Sequence, residues 1–127
     1  MPHADPSDSK RILIVDDEPL NRELLRRVLQ SEYVIDEAED ADAAVGVLEG
    51  EHEFAAVLCD QLMPGRCGTD LAGDVKARWP RVKFLLITGY DDDPQVLEAK
   101  AAGKLHEVVT KPWTARGLKE LLRTMLA

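Results

Sequence analysis

Five side chains in this 127-residue chain have the chemical types needed to bind a metal ion and to handle a phosphoryl group. Three are carboxylates, one is a hydroxyl and one is an ammonium, and they belong to Asp16, Asp17, Asp60, Thr88 and Lys111. Carboxylates supplemented by water are ligands that suit Mg²⁺. An aspartate can attack phosphorus to form an acyl phosphate, while an ammonium and a hydroxyl contact the phosphoryl oxygens. The set is therefore a candidate site for Mg²⁺-dependent phosphoryl chemistry.

These side chains stand at the ends of short apolar runs, which is the pattern of buried strands in a parallel sheet. The runs cover residues 12–15, 55–59, 84–87 and 108–110. In open parallel sheets, ligands bind outside the carboxyl ends of the strands, near the point where the strand order reverses. We therefore expect the five side chains to converge on one small crevice.

Helical patterns alternate with the apolar runs and complete the units that must position the crevice. Apolar residues recur at helical spacing in 19–30, 41–48, 69–79 and 94–103, and a last helix follows Thr114 as its cap. Asp40 or Asp42 is a suitable cap for the second helix and Asp93 for the fourth. With a short strand at 33–35, the pattern predicts the α/β class: a (βα)5 domain built on a parallel sheet.

Composition limits the classes of function. The net charge of −8 argues against a basic face for nucleic acid. Cys59 and Cys67 show neither metal-ligand spacing nor a disulfide framework. Residues 1–9 are polar and are predicted to be a flexible leader, with one domain over 10–127. Neither a signal peptide nor a membrane-length apolar segment is evident, so a cytoplasmic location and no membrane contact are expected.

Four segments in order resemble the receiver domains of two-component response regulators, the CheY-like superfamily, over nearly the whole chain. The matching stretches are Ile14-Val15-Asp16-Asp17-Glu18-Pro19, Asp60-Gln61-Leu62-Met63-Pro64-Gly65 with Gly68, Leu86-Ile87-Thr88-Gly89 and Thr110-Lys111-Pro112-Trp113. The resemblance implies a doubly wound, five-stranded parallel sheet with the strand order 2-1-3-4-5. It also implies a cis bond between Lys111 and Pro112.

The resemblance further implies a role for each residue of the candidate site. Asp60 would be the phosphoacceptor, and Asp16, Asp17 and Asp60 would hold Mg²⁺, or Mn²⁺ as a substitute. The backbone carbonyl of Leu62 would complete the protein's share of the metal ligands, while Thr88 and Lys111 would bind the phosphoryl group.

The resemblance also implies partners and an output. The phosphodonor would be a sensor histidine kinase or a phosphotransfer protein. The result would be a conformational switch, not substrate turnover. The switch would act on a downstream protein or on a C-terminal output domain beyond the present sequence. The chain would be a monomer, or a weak phosphorylation-dependent dimer through the face formed by the fourth helix, fifth strand and fifth helix.

The chain departs from the family pattern at its switch residue. Members usually carry Tyr or Phe three residues before the lysine of the fifth strand, and this chain has Val108 there. Valine has no ring that could swing inward when Thr88 moves. Tyr90, two residues after Thr88, is a hypothetical replacement as the mobile aromatic. Because Leu62 and Tyr90 are apolar or bulky, they should also hinder the attacking water, which predicts a long-lived phosphoaspartate.

Two other classes of function remain as alternatives. Phosphatases and phosphotransferases of the haloacid dehalogenase type also use an Asp nucleophile and Mg²⁺. They need a second carboxylate two residues later, where this chain has Leu62. A pseudo-receiver that only binds a partner would have lost an acceptor, a metal ligand or the lysine. None of these is lost, and only Val108 keeps that alternative open.

Overall fold

A five-stranded sheet lies at the centre of residues 10–127, the part of the chain that the computed structural model describes. The strands are β1 (Arg11–Val15), β2 (Val34–Ala38), β3 (Ala56–Asp60), β4 (Lys83–Thr88) and β5 (Glu107–Thr110). The helices are α1 (Pro19–Leu29), α2 (Ala41–Leu48), α3 (Gly68–Arg78), α4 (Pro94–Ala101) and α5 (Ala115–Met125). The leader expected at 1–9 falls outside the described residues. Between residues 10 and 127, no helix is both long and apolar enough to cross a membrane.

The sheet is parallel throughout and has the strand order β2-β1-β3-β4-β5, as predicted. Its two faces carry separate apolar clusters. Helices α2, α3 and α4 pack on one face, and α1 and α5 pack on the other. The order reverses between β1 and β3, and the candidate crevice is therefore expected at the carboxyl ends of these two strands.

The central strands are buried on both faces, which fixes the position of the residues at their ends. Every residue of β3 is buried, and β1 and β4 are buried except at their first residue. The register pairs Val15 with Cys59 and Asp60 with Ile87, so the three strands end at nearly the same level. Side chains that follow these strands are brought together at one edge.

The second strand differs from its prediction. Residues 33–35 were expected to form it, but β2 runs over Val34–Ala38 and includes Asp36 and Glu37. These charges are accommodated because β2 lies at the edge of the sheet and finds cationic partners. Arg11 binds Asp36 at 2.9 Å, and Arg22 lies 3.3 Å from Glu37. The predicted strand stopped before these charged residues, and their ion pairs with other elements allow them to belong to β2.

The helix ends follow the capping residues. Asp40, not Asp42, accepts from the backbone N–H of Ala43 at the start of α2. Asp93 and Thr114 cap α4 and α5 in the same way, as expected. Helix α4 ends at Ala101, two residues before its predicted end, because Gly103 adopts a positive φ of 74° that terminates the helix.

Candidate functional site

Three carboxylates meet at the carboxyl ends of β1 and β3. One oxygen from each of Asp16, Asp17 and Asp60 lies within 4.8 Å of the others. Asp16 is only 4% exposed and Asp60 only 8%. Like charges held this close and this far from water repel strongly, because the surroundings screen them poorly. The cluster therefore favours an additional cation.

Lys111 supplies one positive charge to this cluster. It follows β5, and its ammonium donates a hydrogen bond to Asp60 Oδ1 at 2.8 Å. Its backbone N–H donates to the Thr88 carbonyl at 2.8 Å, which extends the pairing of β4 and β5 as far as the crevice. The bond between Lys111 and Pro112 is cis, as the resemblance implied. One lysine against three carboxylates leaves the crevice negatively charged.

The charge state of Asp16 reflects this crowding. Burial raises the pKa of Asp16 above its usual value, and the neighbouring charges of Asp60 and Asp17 act in the same direction. The backbone N–H of Glu18, which donates to Asp16 Oδ1 at 2.9 Å, and the ammonium of Lys111 lower the pKa in part. A divalent cation would favour the ionised carboxylate, so the donor set fits Mg²⁺.

The loop that carries Asp16 and Asp17 is fixed by Arg22 of α1. The guanidinium of Arg22 donates to the backbone carbonyl of Asp16 at 2.6 Å, and its backbone N–H donates to the Glu18 carbonyl at 3.2 Å. Glu37 of β2 contacts the same guanidinium. Helix α1 thus holds the loop from two sides. The sequence did not indicate this role, because an arginine in an amphipathic helix is indistinguishable from a solvated one.

The segment after Asp60 depends on a glycine and a glutamine. A Cβ on Gly68 would lie 2.6 Å from Leu86 Cδ1 and 2.7 Å from the Asp60 carbonyl, so the start of α3 can approach β3 only without a side chain. The Gly68 N–H donates to the Gln61 carbonyl at 3.0 Å. The Gln61 side chain is buried and accepts from the Thr69 N–H at 2.8 Å. The sequence did not indicate this contact of Gln61, because its partner belongs to another element.

The predicted switch residues Thr88, Tyr90 and Val108 lie in different environments. Thr88 is buried, and its hydroxyl accepts a hydrogen bond from the Tyr90 N–H at 3.1 Å. Tyr90 and Leu62 are each 66% exposed. Val108 is partly buried and packs against the cluster under α2, α3 and α4. The structure thus brings Asp16, Asp17, Asp60 and Lys111 into contact range, with the Thr88 hydroxyl turned toward its own loop.

The cysteines take no part in this cluster. Cys59 is buried within β3, and its burial raises the pKa of the thiol well above the usual value. Cys67 precedes α3, where its backbone N–H and thiol both contact the Asp70 carboxylate at 3.2 Å. Both cysteines are free.

A groove of about 440 Å³ opens beside the crevice, between α1 and the start of α5. The groove is lined by the site residues Asp16 and Lys111 and by apolar residues that include Leu24, Val28 and Trp113. Leu24 is exposed within this lining, and Leu20 of the same helix is also exposed. The entrance to the crevice is therefore bordered by an apolar surface.

Comparison with known proteins identifies the family. A family model described as the response regulator receiver domain matches residues 12–123. The chain is 31% identical over 112 residues to the hydrogenase transcriptional regulatory protein HoxA of Cupriavidus necator, a match covering 88% of this chain and 23% of that protein. It is 29% identical over 119 residues to the chemotaxis protein CheY of Halobacterium salinarum, covering 93% of this chain and 98% of that one.

A solved structure agrees with these matches. The response regulator TrrA of Thermotoga maritima, determined in complex with Mg²⁺-BeF, is 35% identical. Its TM-score is 0.78, and the match covers 92% of this chain and 99% of that one. By contrast, the chain spans only 23% of the length of the HoxA protein that it matches. The chain belongs to the family of response regulator receiver domains.

Proposed function

We propose that Asp60 accepts a phosphoryl group from a histidine kinase or a phosphotransfer protein in a Mg²⁺-dependent reaction. The observation that carries this proposal is the contact between Asp60 Oδ1 and Lys111 Nζ at 2.8 Å, inside a cluster that also holds Asp16 and Asp17. A nucleophile, an excess of negative charge and a cationic side chain meet at one point. This is the arrangement that an acyl phosphate needs.

Asp16, Asp17 and Asp60 would hold the metal, with the backbone carbonyl of Leu62 as a fourth protein ligand and Mn²⁺ as a substitute. The metal supplies positive charge that balances the charge on the phosphoryl oxygens. Support comes from the acidic cluster and from the Mg²⁺-BeF complex of the related TrrA. Burial of Asp16 and Asp60 excludes much of the water that would otherwise screen these charges.

The transfer itself asks little covalent chemistry of the protein. A carboxylate oxygen of Asp60 attacks phosphorus in line, the P–O bond forms, and the P–N bond of the phosphohistidine breaks as its electron pair returns to the imidazole. The Asp60 carboxylate loses its charge when it becomes an acyl phosphate. The Lys111 ammonium, which now neutralises that carboxylate, is then within reach of the new phosphoryl oxygens.

Thr88 would report the new group to the β4–α4 loop. Its hydroxyl now accepts from the Tyr90 N–H, and it can instead donate to a phosphoryl oxygen after rotating about χ1. The Tyr90 amide would lose its partner, and the loop would shift. If the exposed Tyr90 ring replaces the missing aromatic at Val108, Tyr90→Ala abolishes the phosphorylation-induced change in partner affinity. An intact response would reject Tyr90 as the switch.

The surroundings of the crevice support a protein as the phosphodonor. The apolar groove beside Lys111 and the exposed Leu20 and Leu24 offer a surface on which a helical donor could pack. A donor that takes its phosphate from ATP works in the cytoplasm, and we therefore propose a cytoplasmic location for this chain. Receiver domains are signalling domains, and we propose that this one regulates a downstream protein or output domain without turning over a substrate.

Intact mass spectrometry tests the function directly. After incubation with acetyl phosphate and Mg²⁺, wild type should gain one phosphate, and Asp60→Asn, which keeps the shape but lacks the nucleophile, should gain none. A folded wild-type protein without added phosphate would favour the pseudo-receiver alternative. Multiple turnover of a phosphomonoester would favour the dehalogenase-type alternative.

A further inference from the structure

The Gln61 side chain links the phosphoacceptor strand to two helices at once. It is 3% exposed and directly follows Asp60. Its carbonyl oxygen accepts from the Thr69 N–H of α3 at 2.8 Å, while its amide nitrogen lies 3.3 Å from the Thr69 hydroxyl and 3.4 Å from Gln95 Oε1 of α4. An amide group offers one acceptor oxygen and two N–H donors. All three are used here.

Helix α4 is weakly attached to the sheet, and Gln95 supplies its polar side-chain contact with another element. Helix α4 buries only Val96 and Ala99, whereas α5 buries Leu118 and Leu122. Burying larger side chains stabilises a helix more, so α4 is attached more weakly to the sheet. Among the described residues, Gln95 is the one α4 side chain that hydrogen-bonds outside its helix, to Gln61 and more distantly to the Cys67 thiol at 3.9 Å.

Both ends of the β4–α4 loop are thus held by hydrogen bonds. At its start, the Tyr90 N–H is bound to the Thr88 hydroxyl. At its far end, Gln95 is bound to Gln61, whose backbone N–H also donates to the Ile87 carbonyl of β4 at 3.1 Å. A rearrangement of the loop that breaks the hydrogen bond between Thr88 and Tyr90 would therefore strain the hydrogen bond between Gln61 and Gln95. Gln61 does not yield easily, because its bond to the Thr69 N–H is short and buried.

We propose that the hydrogen bond between Gln61 and Gln95 is a latch that holds α4 in its unphosphorylated position and opens when the crevice is filled. This inference rests on the proposed function. The side-chain amides of Gln61 and Gln95 would couple Asp60 to α4. This chain needs such a coupling because Val108 of β5 has no aromatic ring. Gln61 is a positioning residue, since it acts through Gln95.

The latch has a measurable thermodynamic consequence. A bond present in only one of two conformations shifts their equilibrium by the free energy of that bond, and a ligand that prefers the other conformation then binds more weakly. Gln95 is exposed, so water replaces part of the hydrogen bond when it is lost. Its contribution to the free energy difference between the two conformations is therefore at the low end of the range for a hydrogen bond. Removing the latch should therefore strengthen binding of an acyl-phosphate analogue by about two- to fivefold. Loss of a merely structural contact would leave affinity unchanged or weaken it.

The test compares the affinity of three proteins for beryllofluoride in the presence of saturating Mg²⁺, by isothermal titration calorimetry. Gln95→Ala should bind about two- to fivefold more tightly than wild type. Glu98 is exposed on the same helix and has no side-chain hydrogen bond among the described residues, so Glu98→Ala should match wild type. Both substitutions are on the surface, so folding is expected to persist.

The possible outcomes separate the latch from the function on which it rests. Unchanged or weaker binding by Gln95→Ala, while wild type binds, would overturn the latch alone. An equal gain in Glu98→Ala would also overturn it, because the effect would then belong to helix propensity. A wild-type protein that binds Mg²⁺ but not beryllofluoride would overturn the proposed function and the latch together.

Discussion

The central strands and the α4–β5 side of the sheet differ in how firmly they are packed. Strands β1, β3 and β4 are almost wholly buried and carry Asp16, Asp60 and Thr88 at or beyond their ends. Strand β5 has no fully buried residue, and α4 buries only one valine and one alanine. Asp16, Asp60 and Thr88 thus stand on the firmly packed part of the molecule, whereas Lys111 follows the weakly packed β5.

This difference matches the two demands on a phosphorylation switch. Transfer needs charged groups held in place, which buried strands and the Arg22 contact to the β1–α1 loop provide. Switching needs an element whose two positions differ by little free energy, and such elements come from the weakly packed part of a fold. Variants in both regions test this difference in packing.

The largest effect is expected from truncations to alanine in the two regions. Leu58 of β3 is fully buried, so Leu58→Ala should lower the free energy of unfolding by about 2–5 kcal/mol. Val108 of β5 is partly exposed, so Val108→Ala should cost only about 1 kcal/mol. Urea denaturation of both variants measures the difference. Equal losses would contradict the contrast in packing.

Gly68→Ala should also be costly, because the new Cβ meets the Asp60 carbonyl and Leu86 at less than 3 Å. Such overpacking typically costs about 1–3 kcal/mol. Gly46→Ala is the matched control: nothing lies within 4 Å of its new Cβ in α2, so a gain of up to about 1 kcal/mol is expected. Thermal unfolding of both variants gives the comparison. If Gly68→Ala were as stable as wild type, the close approach of α3 to β3 would be wrong.

A smaller effect is expected on the lifetime of the acyl phosphate. Leu62, two residues after Asp60, is exposed, and its side chain offers no polar atom to an attacking water. Leu62→Asn should speed loss of the phosphate about fivefold, which corresponds to roughly 1 kcal/mol of barrier. Intact mass followed after removal of acetyl phosphate measures the decay. The control Leu97→Asn, on the exposed side of α4, should leave the decay rate unchanged. An unchanged decay rate in Leu62→Asn would show that Leu62 does not hinder the attacking water.

The smallest effect is expected on the pH dependence of stability, through His106 at the start of β5. The Phe84 N–H donates to His106 Nδ1 at 2.9 Å, so the imidazole must be neutral there. Partial burial lowers the pKa of His106 below 6.5, and the charge of Lys83 acts in the same direction. The unfolded chain then binds a proton more readily, so this contribution to stability is present above pH 6.5 and is lost as pH falls below it. In His106→Asn, the midpoint of urea denaturation should depend less on pH between pH 7.5 and pH 5.5 than it does in wild type. A pH dependence as steep as that of wild type would contradict this role of His106.

Much of the fold could be predicted from the sequence, because its strongest signals are local. Apolar runs of strand length and helical periodicity determine which segments become β1, β3, β4 and the helices. Parallel strands end at one edge, so residues that follow them must be neighbours, and Asp16, Asp60 and Lys111 are. The strand with charged residues, β2, was predicted too short, since its partners Arg11 and Arg22 come from other elements.

The sequence by itself thus determined the class of fold, the edge that carries the crevice and the side chains that reach it. Only the tertiary structure decided which hydrogen bonds hold them: Arg22 on the Asp16 carbonyl, Gly68 against Asp60, and Gln61 between Thr69 and Gln95. Those contacts join residues on different elements, and their distances depend on how the helices pack on the sheet. Local patterns carry no record of that packing, because a polar side chain has the same identity whether it meets water or a partner.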